Sequence, residues 1–200
     1  MEVSIALEKI RTFIAIEIPE DIKKKIATLI DGLKERLPDV SWVKPSTLHI
    51  TLKFLGSVEK ERIEPIERTL EKIGSETSPF ELVIADVGGF PSLRAPRVLW
   101  IGVRHSPELS LLYERVEKGL EGHGFEPEQR PFRPHLTLCR IKKEAQRAKL
   151  SRELERIKPA ICESFVADGI ILFKSELNPR GAIHTPLKYI RFKDLKKQEV

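Results

Sequence analysis

The sequence predicts an α+β fold of two pseudo-symmetric lobes, each an antiparallel sheet with helices on the outside, around a central cleft. Three observations lead there. Short β-branched runs alternate with amphipathic helical stretches along the 200 residues. The order strand–helix–strand–helix occurs twice. The second strand of each round carries one tetrapeptide pattern, His49-Ile50-Thr51-Leu52 and His135-Leu136-Thr137-Leu138. No linker or low-complexity stretch interrupts the chain, so residues 1–200 read as a single bilobal domain.

From the N-terminus, Thr12–Ile18 is rich in β-branched and aromatic residues and stops at Pro19, which predicts a strand. Glu20–Leu37 is a helix with Ile22, Ile26, Leu29, Ile30 and Leu33 on one stripe, ended by Pro38. Ser46–Leu55 reads as a strand, Glu59–Ile73 as a helix, and Phe80–Val87 as a strand that turns at Gly88-Gly89. Arg97–Val103 is the next strand, and Pro107–Leu120 a helix with Leu109, Leu112, Val116 and Leu120 inward. Arg133–Ile141 is a strand, Ala145–Ile157 a helix and Phe165–Phe173 a strand. Asn178-Pro179-Arg180-Gly181 has the residues of a reversal. The last strand, Ile183–Phe192, contains Pro186, which suits a sheet edge. The charged tail from Lys193 to Val200 reads as frayed.

Composition bounds the function. Lys plus Arg total 35 against 30 Asp plus Glu, a net charge of +5 that suits a polyanionic substrate without requiring one. No stretch nears the roughly 20 apolar residues of a membrane helix, and the N-terminus lacks the pattern of a signal peptide. Two cysteines, Cys139 and Cys162, without CxxC spacing predict a reduced, cytoplasmic protein. One Asn, three Gln and one Met beside abundant Lys and Glu fit a thermophilic host.

The repeated tetrapeptide carries the chemistry. Side chains alternate along a strand, so Leu48, Ile50, Leu52 and Phe54 are expected on the core face, and His49, Thr51 and Lys53 on the other. In the second copy, Leu136 and Leu138 face the core, while Arg133, His135, Thr137 and Cys139 share the opposite face. Lobes packed face to face would then pool two imidazoles and two hydroxyls in one cleft. Attack on phosphorus needs a base for the incoming oxygen and an acid for the departing one, each worth about 10²–10⁴ in rate. Histidine supplies either form near neutral pH, and threonine hydroxyls and cations stabilise phosphate oxygens. No HExxH, acidic cluster or phosphate-cradling glycine loop is present, so neither a metal nor a cofactor is expected. A single such histidine is more often a structural residue of a half-buried strand; two copies favour a site.

The two motifs resemble the signature of the two-histidine phosphoesterase superfamily. Arg11-Thr12-Phe13-Ile14-Ala15, Trp42-Val43-Lys44-Pro45, Lys53-Phe54-Leu55-Gly56, Pro96–Val103 and Phe132-Arg133-Pro134-His135 resemble its RNA 2′,3′-cyclic phosphodiesterase branch, also called 2′-5′ RNA ligases. The resemblance covers nearly the whole chain. It implies a metal-independent hydrolase that opens RNA 2′,3′-cyclic phosphate ends, tRNA fragments among them, to 2′-phosphates. It makes His49 the proton donor, His135 the proton acceptor, and Thr51 and Thr137 phosphate ligands; the motif symmetry itself leaves acid and base unassigned. In the reverse sense a 5′-hydroxyl replaces water and a 2′-5′ linkage forms. The alternatives are an enzyme for small cyclic nucleotides and an RNA-end-binding module without turnover.

Several residues have two readings. Arg133 is the leading phosphate clamp and Lys53 a second, each with a structural ion pair as its alternative. Phe54 is a base-stacking candidate, although core packing is the commoner role for it and for Phe13. His184 stands in the C-terminal hairpin where relatives often carry an aromatic residue, and either contacts a base or sits at the surface. Cys139 is assigned no chemistry. A cleft within one chain makes a monomer the expected state.

Overall fold

The computed structural model describes residues 8–157, 161–178 and 181–193. The chain runs β1 (Lys9–Glu17), α1 (Glu20–Arg36), β2 (Ser41–Trp42), β3 (His49–Glu59), α2 (Ile63–Ser75), β4 (Phe80–Phe90) and β5 (Val98–Val103). It continues with α3 (Pro107–Glu121), β6 (His135–Arg140), α4 (Glu144–Ile157), β7 (Cys162–Ala167), β8 (Gly169–Asn178) and β9 (Gly181–Arg191). The strands form two antiparallel sheets, ordered β3-β1-β8-β9 and β2-β6-β5-β4-β7. This is the α+β architecture of two sheets and four helices that the sequence predicts.

Local rules account for the helices. In α1, Ile22, Ile26, Ile30 and Leu33 form the buried stripe, Glu20 and Asp21 open the first turn, and Lys34 and Arg36 close the last, each complementing the helix dipole. Pro38 prevents continuation. In α3, Ser106 caps the N-terminus, its Oγ accepting from Leu109 N at 3.1 Å, and Pro107 occupies the first position, where no amide donor is needed. The apolar faces of the helices and the inner faces of both sheets join in one core, including Ile14, Ile50, Leu70, Leu99, Leu120, Leu136 and Leu172. Each such buried side chain contributes roughly 1.5–3 kcal/mol relative to exposure.

The lobes are not the two halves of the chain. β4 joins the second sheet, and the returning pair β8–β9 completes the first. The run expected as one strand over Phe165–Phe173 is therefore two strands in different sheets, separated at Asp168. Strand-forming residues fill both and no proline divides them, so the sequence reads as one run. Gly169 marks it: a Cβ there would lie 2.5 Å from the Ile190 carbonyl oxygen and 2.7 Å from the Tyr189 hydroxyl. Gly88-Gly89 likewise makes no turn. β4 continues to Phe90, and the glycine lets the Trp100 indole lie flat where a Cβ would sit 2.0 Å away.

Other boundaries shift modestly. The strand expected from Ser46 begins at His49 after a 3-10 turn over Pro45–Thr47, and the strand expected from Arg133 begins at His135. β3 runs on to Glu59, where a second 3-10 turn precedes α2. β8 and β9 pair as far as Asn178 and Gly181, as a reversal there requires; residues 179–180 and the tail 194–200 lie outside the described residues. Pro186 does sit on an edge strand, next to a register shift. No helix among the described residues is long and apolar enough to cross a membrane.

A buried ion pair ties β3 to α3. Lys53 of β3 donates to Glu117 Oε2 of α3 at 2.6 Å and to the Glu126 carbonyl at 2.9 Å. The same Glu117 oxygen accepts from Glu128 N at 2.9 Å. Lys53 and Glu117 are only 6% and 7% exposed. Removing one partner strands a buried charge, which costs about 3–5 kcal/mol, whereas replacing both with apolar groups is often tolerated. Lys53→Met is therefore expected to lower unfolding free energy in a denaturant titration by about that amount. Lys53→Met combined with Glu117→Leu should recover most of the loss; equal stability of the single variant and the parent would contradict the pairing.

Candidate active site

An extra residue in each motif strand shapes the site. β1 pairs Ala15 with Thr51 and Ile14 with Lys53, so Leu52 is bulged out of the ladder. β5 pairs Trp100 with Thr137 and Leu99 with Cys139, so Leu138 is bulged at the equivalent place. Burial runs in the same order in both strands: His half-buried, Ile or Leu buried, Thr half-buried, Leu buried, and the next residue buried too. Strict alternation fails after each threonine because a bulge reverses the facing of the residues that follow it, and in β3 a second shift at Leu55 reverses it again.

This corrects the positions expected for three residues. Lys53 turns to the core side, where Glu117 holds its ammonium, and not to the cleft face. Cys139 also faces the core with no exposure, and burial pushes its thiol up to about 12. Phe54, expected in the core, is thrown out to 66% exposure, its ring 6.0 Å from that of Phe13.

The two histidines are held alike. His49 Nδ1 lies 2.7 Å from the carbonyl oxygen of Thr47, and His135 Nδ1 lies 2.7 Å from that of Arg133. A carbonyl oxygen only accepts, so Nδ1 carries the proton in each ring. That leaves Nε2 of each imidazole to take or give one. Both carbonyls stand two residues before the histidine, at the point where the strand begins. Thr51 and Thr137 share the half-buried face of their histidines, two residues on.

Rings pack around each imidazole. Phe13 lies 4.7 Å and Phe173 6.3 Å from His49, centroid to centroid. The first sheet curls, so His184 of its far edge strand reaches His49 at 5.3 Å and Phe13 at 4.8 Å, both edge-on. His184 thus stands beside His49 and is half-buried, and its Nδ1 has no hydrogen-bond partner among the described residues. Around His135, Phe90 stands edge-on at 5.1 Å and Trp100 at 6.1 Å. Phe13, Phe90 and Phe173 were not legible as neighbours of the histidines, because apolar rings in strands read first as core.

The remaining candidates sort by position. Arg133 is exposed immediately before Pro134 and His135, and its carbonyl is the one that holds the His135 ring. Arg130 pairs with Glu128 on an exposed loop. Trp42 donates to the Leu37 carbonyl at 3.1 Å, and His123 is within 2.7 Å of the Thr69 hydroxyl at the α3 end; His105 is exposed. Among the described residues, no group of three or more His, Cys, Asp and Glu side chains is gathered to hold a metal ion.

Burial pulls His49 down to about 4, helped by the charges of His184, His135 and Lys23 and opposed by the bond to Thr47. Burial also lowers His184. The protein by itself therefore holds His49 neutral at pH 7. In the unfolded chain the ring binds its proton near pH 6.5, but in the folded one only near 4, so stability falls as pH drops through that window. The expected NMR titration gives a His49 midpoint near pH 4, and His49→Gln should weaken the pH dependence of unfolding between 6.5 and 4. A His49 midpoint at 6.5 would contradict the burial argument.

Comparison with known proteins agrees with this geometry. The model of the LigT like Phosphoesterase family matches residues 16–100 and again 101–184, one match over each motif. The chain is 33% identical over 183 residues to the RNA 2′,3′-cyclic phosphodiesterase of Methanothermobacter thermautotrophicus, covering 92% of this chain and 99% of that one. It is 34% identical to the protein of that name from Methanocaldococcus jannaschii, covering 89% and 98%. The crystal structure of E. coli LigT complexed with 3′-AMP superposes with a TM-score of 0.73 at 26% identity, covering 93% of this chain and 99% of that one. With its family model matched twice over paired His-x-Thr strands, the chain belongs to the LigT-like phosphoesterase family.

Proposed function

We propose that the chain is a metal-independent phosphodiesterase that hydrolyses RNA 2′,3′-cyclic phosphate ends to 2′-phosphomonoesters, tRNA fragments among its substrates. The observation that carries this reading is the matched pair of imidazoles, each with Nδ1 bound to a carbonyl and Nε2 left for proton transfer. Two curated relatives bear the name RNA 2′,3′-cyclic phosphodiesterase, and E. coli LigT was crystallised with 3′-AMP.

In this reading, neutral His135 takes a proton from water as its oxygen bonds to phosphorus. The P–O3′ bond breaks, and His49, protonated at Nε2, gives its proton to the 3′-oxygen. Thr51 and Thr137 hydroxyls donate to the non-bridging oxygens, and Arg133 adds charge from the rim. Lys53, held in the core by Glu117, has no part in this proposal. Phe54 offers a stacking surface for the base, with His184 beside His49 as a second contact. A bound phosphodiester anion favours the imidazolium of His49, so the substrate itself charges the acid that attacks its leaving group. With a 5′-hydroxyl in place of water the same transfers form a 2′-5′ linkage. The chain would act as a monomer in the cytoplasm.

The direct test is EDTA-treated protein with a short RNA ending in a 2′,3′-cyclic phosphate. Clean formation of a 2′-phosphate is expected, and His49→Ala and His135→Ala should each lose about 10²–10⁴ in turnover while still binding RNA. A 3′-bridging sulfur, whose thiolate leaves without a proton, should rescue His49→Ala more than His135→Ala; the opposite ranking would reverse acid and base. Turnover that survives either substitution, or a parent that binds without turnover, would sink the proposal.

The pH profile gives a second test. Activity that requires protonated His49 declines as pH rises through its pKa, about 4 in the free chain and higher with the anion bound. The alkaline limb of kcat should therefore lie at higher pH than that of kcat/KM. Coincident limbs would remove His49 as the substrate-charged acid.

A further inference from the structure

A cavity lies against His135. It has a volume of about 360 Å³, and its walls include Phe90, Trp100, Ser110, Phe132, Arg133 and His135. The walls belong to the second sheet, α3 and the segment before β6, so the cavity is separate from the Phe13–Phe54 surface of the first sheet. Its aromatic walls are fixed. Phe132 stacks on Tyr113 with centroids 3.9 Å apart and planes 7° from parallel. The Trp100 indole is laid against Gly88, and its buried Nε1–H has no acceptor among the described residues.

The size decides what kind of ligand this is. Water, the nucleophile of hydrolysis, takes up about 30 Å³ and needs no such chamber. A cavity of about 360 Å³ lies within the range of small-ligand sites, and this one combines flat rings with an exposed guanidinium. Those are the groups that stack on a nucleobase and meet a phosphate. The cavity touches the imidazole assigned to activate the nucleophile.

We propose that this cavity is the subsite for the 5′-terminal nucleoside of a second RNA strand, whose 5′-hydroxyl replaces water beside His135. The inference rests on the phosphodiesterase reading and adds where the second strand binds. The 5′-oxygen forms the new bond to phosphorus and loses its proton to His135 Nε2. The P–O3′ bond breaks and the 3′-oxygen takes the proton of His49 Nε2, so a 2′-5′ diester with a free 3′-hydroxyl results and no co-reactant is consumed. Phe54 and the cavity thus hold nucleosides on opposite sides of the reacting phosphate.

The experiment incubates the full chain and an RNA 2′,3′-cyclic phosphate with increasing amounts of a 3′-blocked, 5′-hydroxyl dinucleotide, or of methanol, and separates hydrolysis from transfer products. Transfer to the dinucleotide should saturate, while transfer to methanol rises in proportion to its concentration. Ser110→Trp, which fills the cavity, should reduce the ratio of transfer to hydrolysis at least tenfold for the dinucleotide and not for methanol. Hydrolysis with unsaturable dinucleotide transfer by the parent would overturn the subsite and leave the phosphodiesterase reading standing. Absence of any phosphate opening would overturn both. The parent's saturation curve decides the matter whether or not the tryptophan variant folds.

Discussion

The bulged leucine after each motif threonine is the constraint on which the candidate site depends. A regular strand can serve two surfaces only by alternation, and here each motif strand must present a histidine and a threonine to one face and then change what it presents. In β3 the reversal delivers Lys53 to Glu117 and sends Phe54 outward. In β6 it buries Cys139 where its thiol is inert. The same bulge in both motifs separates the half-buried histidines and threonines from the core they stand on.

The buried Lys53–Glu117 pair builds on that reversal. It joins the strand bearing His49 to the helix and loop that precede His135, because Glu117 also fixes the Glu128 amide and Lys53 the Glu126 carbonyl. A charged pair in the core is a poor source of net stability, but its geometry is demanding. Here it fastens β3 to α3 and to the loop that leads to β6, so the two motif strands are linked through one buried contact.

Much of this was legible in the residues. The helices α1 and α3 declare themselves by stripe, cap and proline, and the paired motifs place His49, Thr51, His135 and Thr137 on half-buried faces. The features that stayed hidden have definite causes. A bulge leaves no mark in composition, so Lys53, Phe54 and Cys139 were placed by an alternation that stops at Leu52 and Leu138. The crossing at Asp168-Gly169 interrupts the strand-forming residues by only two positions, so two strands read as one. The contact of His184 with His49 depends on the curl of a sheet, which is a sum over four strands and belongs to no single segment.

The route of the chain has a consequence for its biosynthesis. The first sheet opens with β1 but waits for β8, so Phe13 stacks on Phe173 only after every element from α1 to β7 has been made. The second sheet draws its long strands, β4 to β7, from one continuous stretch and can assemble earlier. A nascent chain emerging in sequence therefore carries β1 and β3 as an unfinished edge until β8 and β9 arrive, a topology of high contact order and slow closure. The lobe that holds His49 is the last to close, and an incomplete polypeptide lacks the wall on which that imidazole rests.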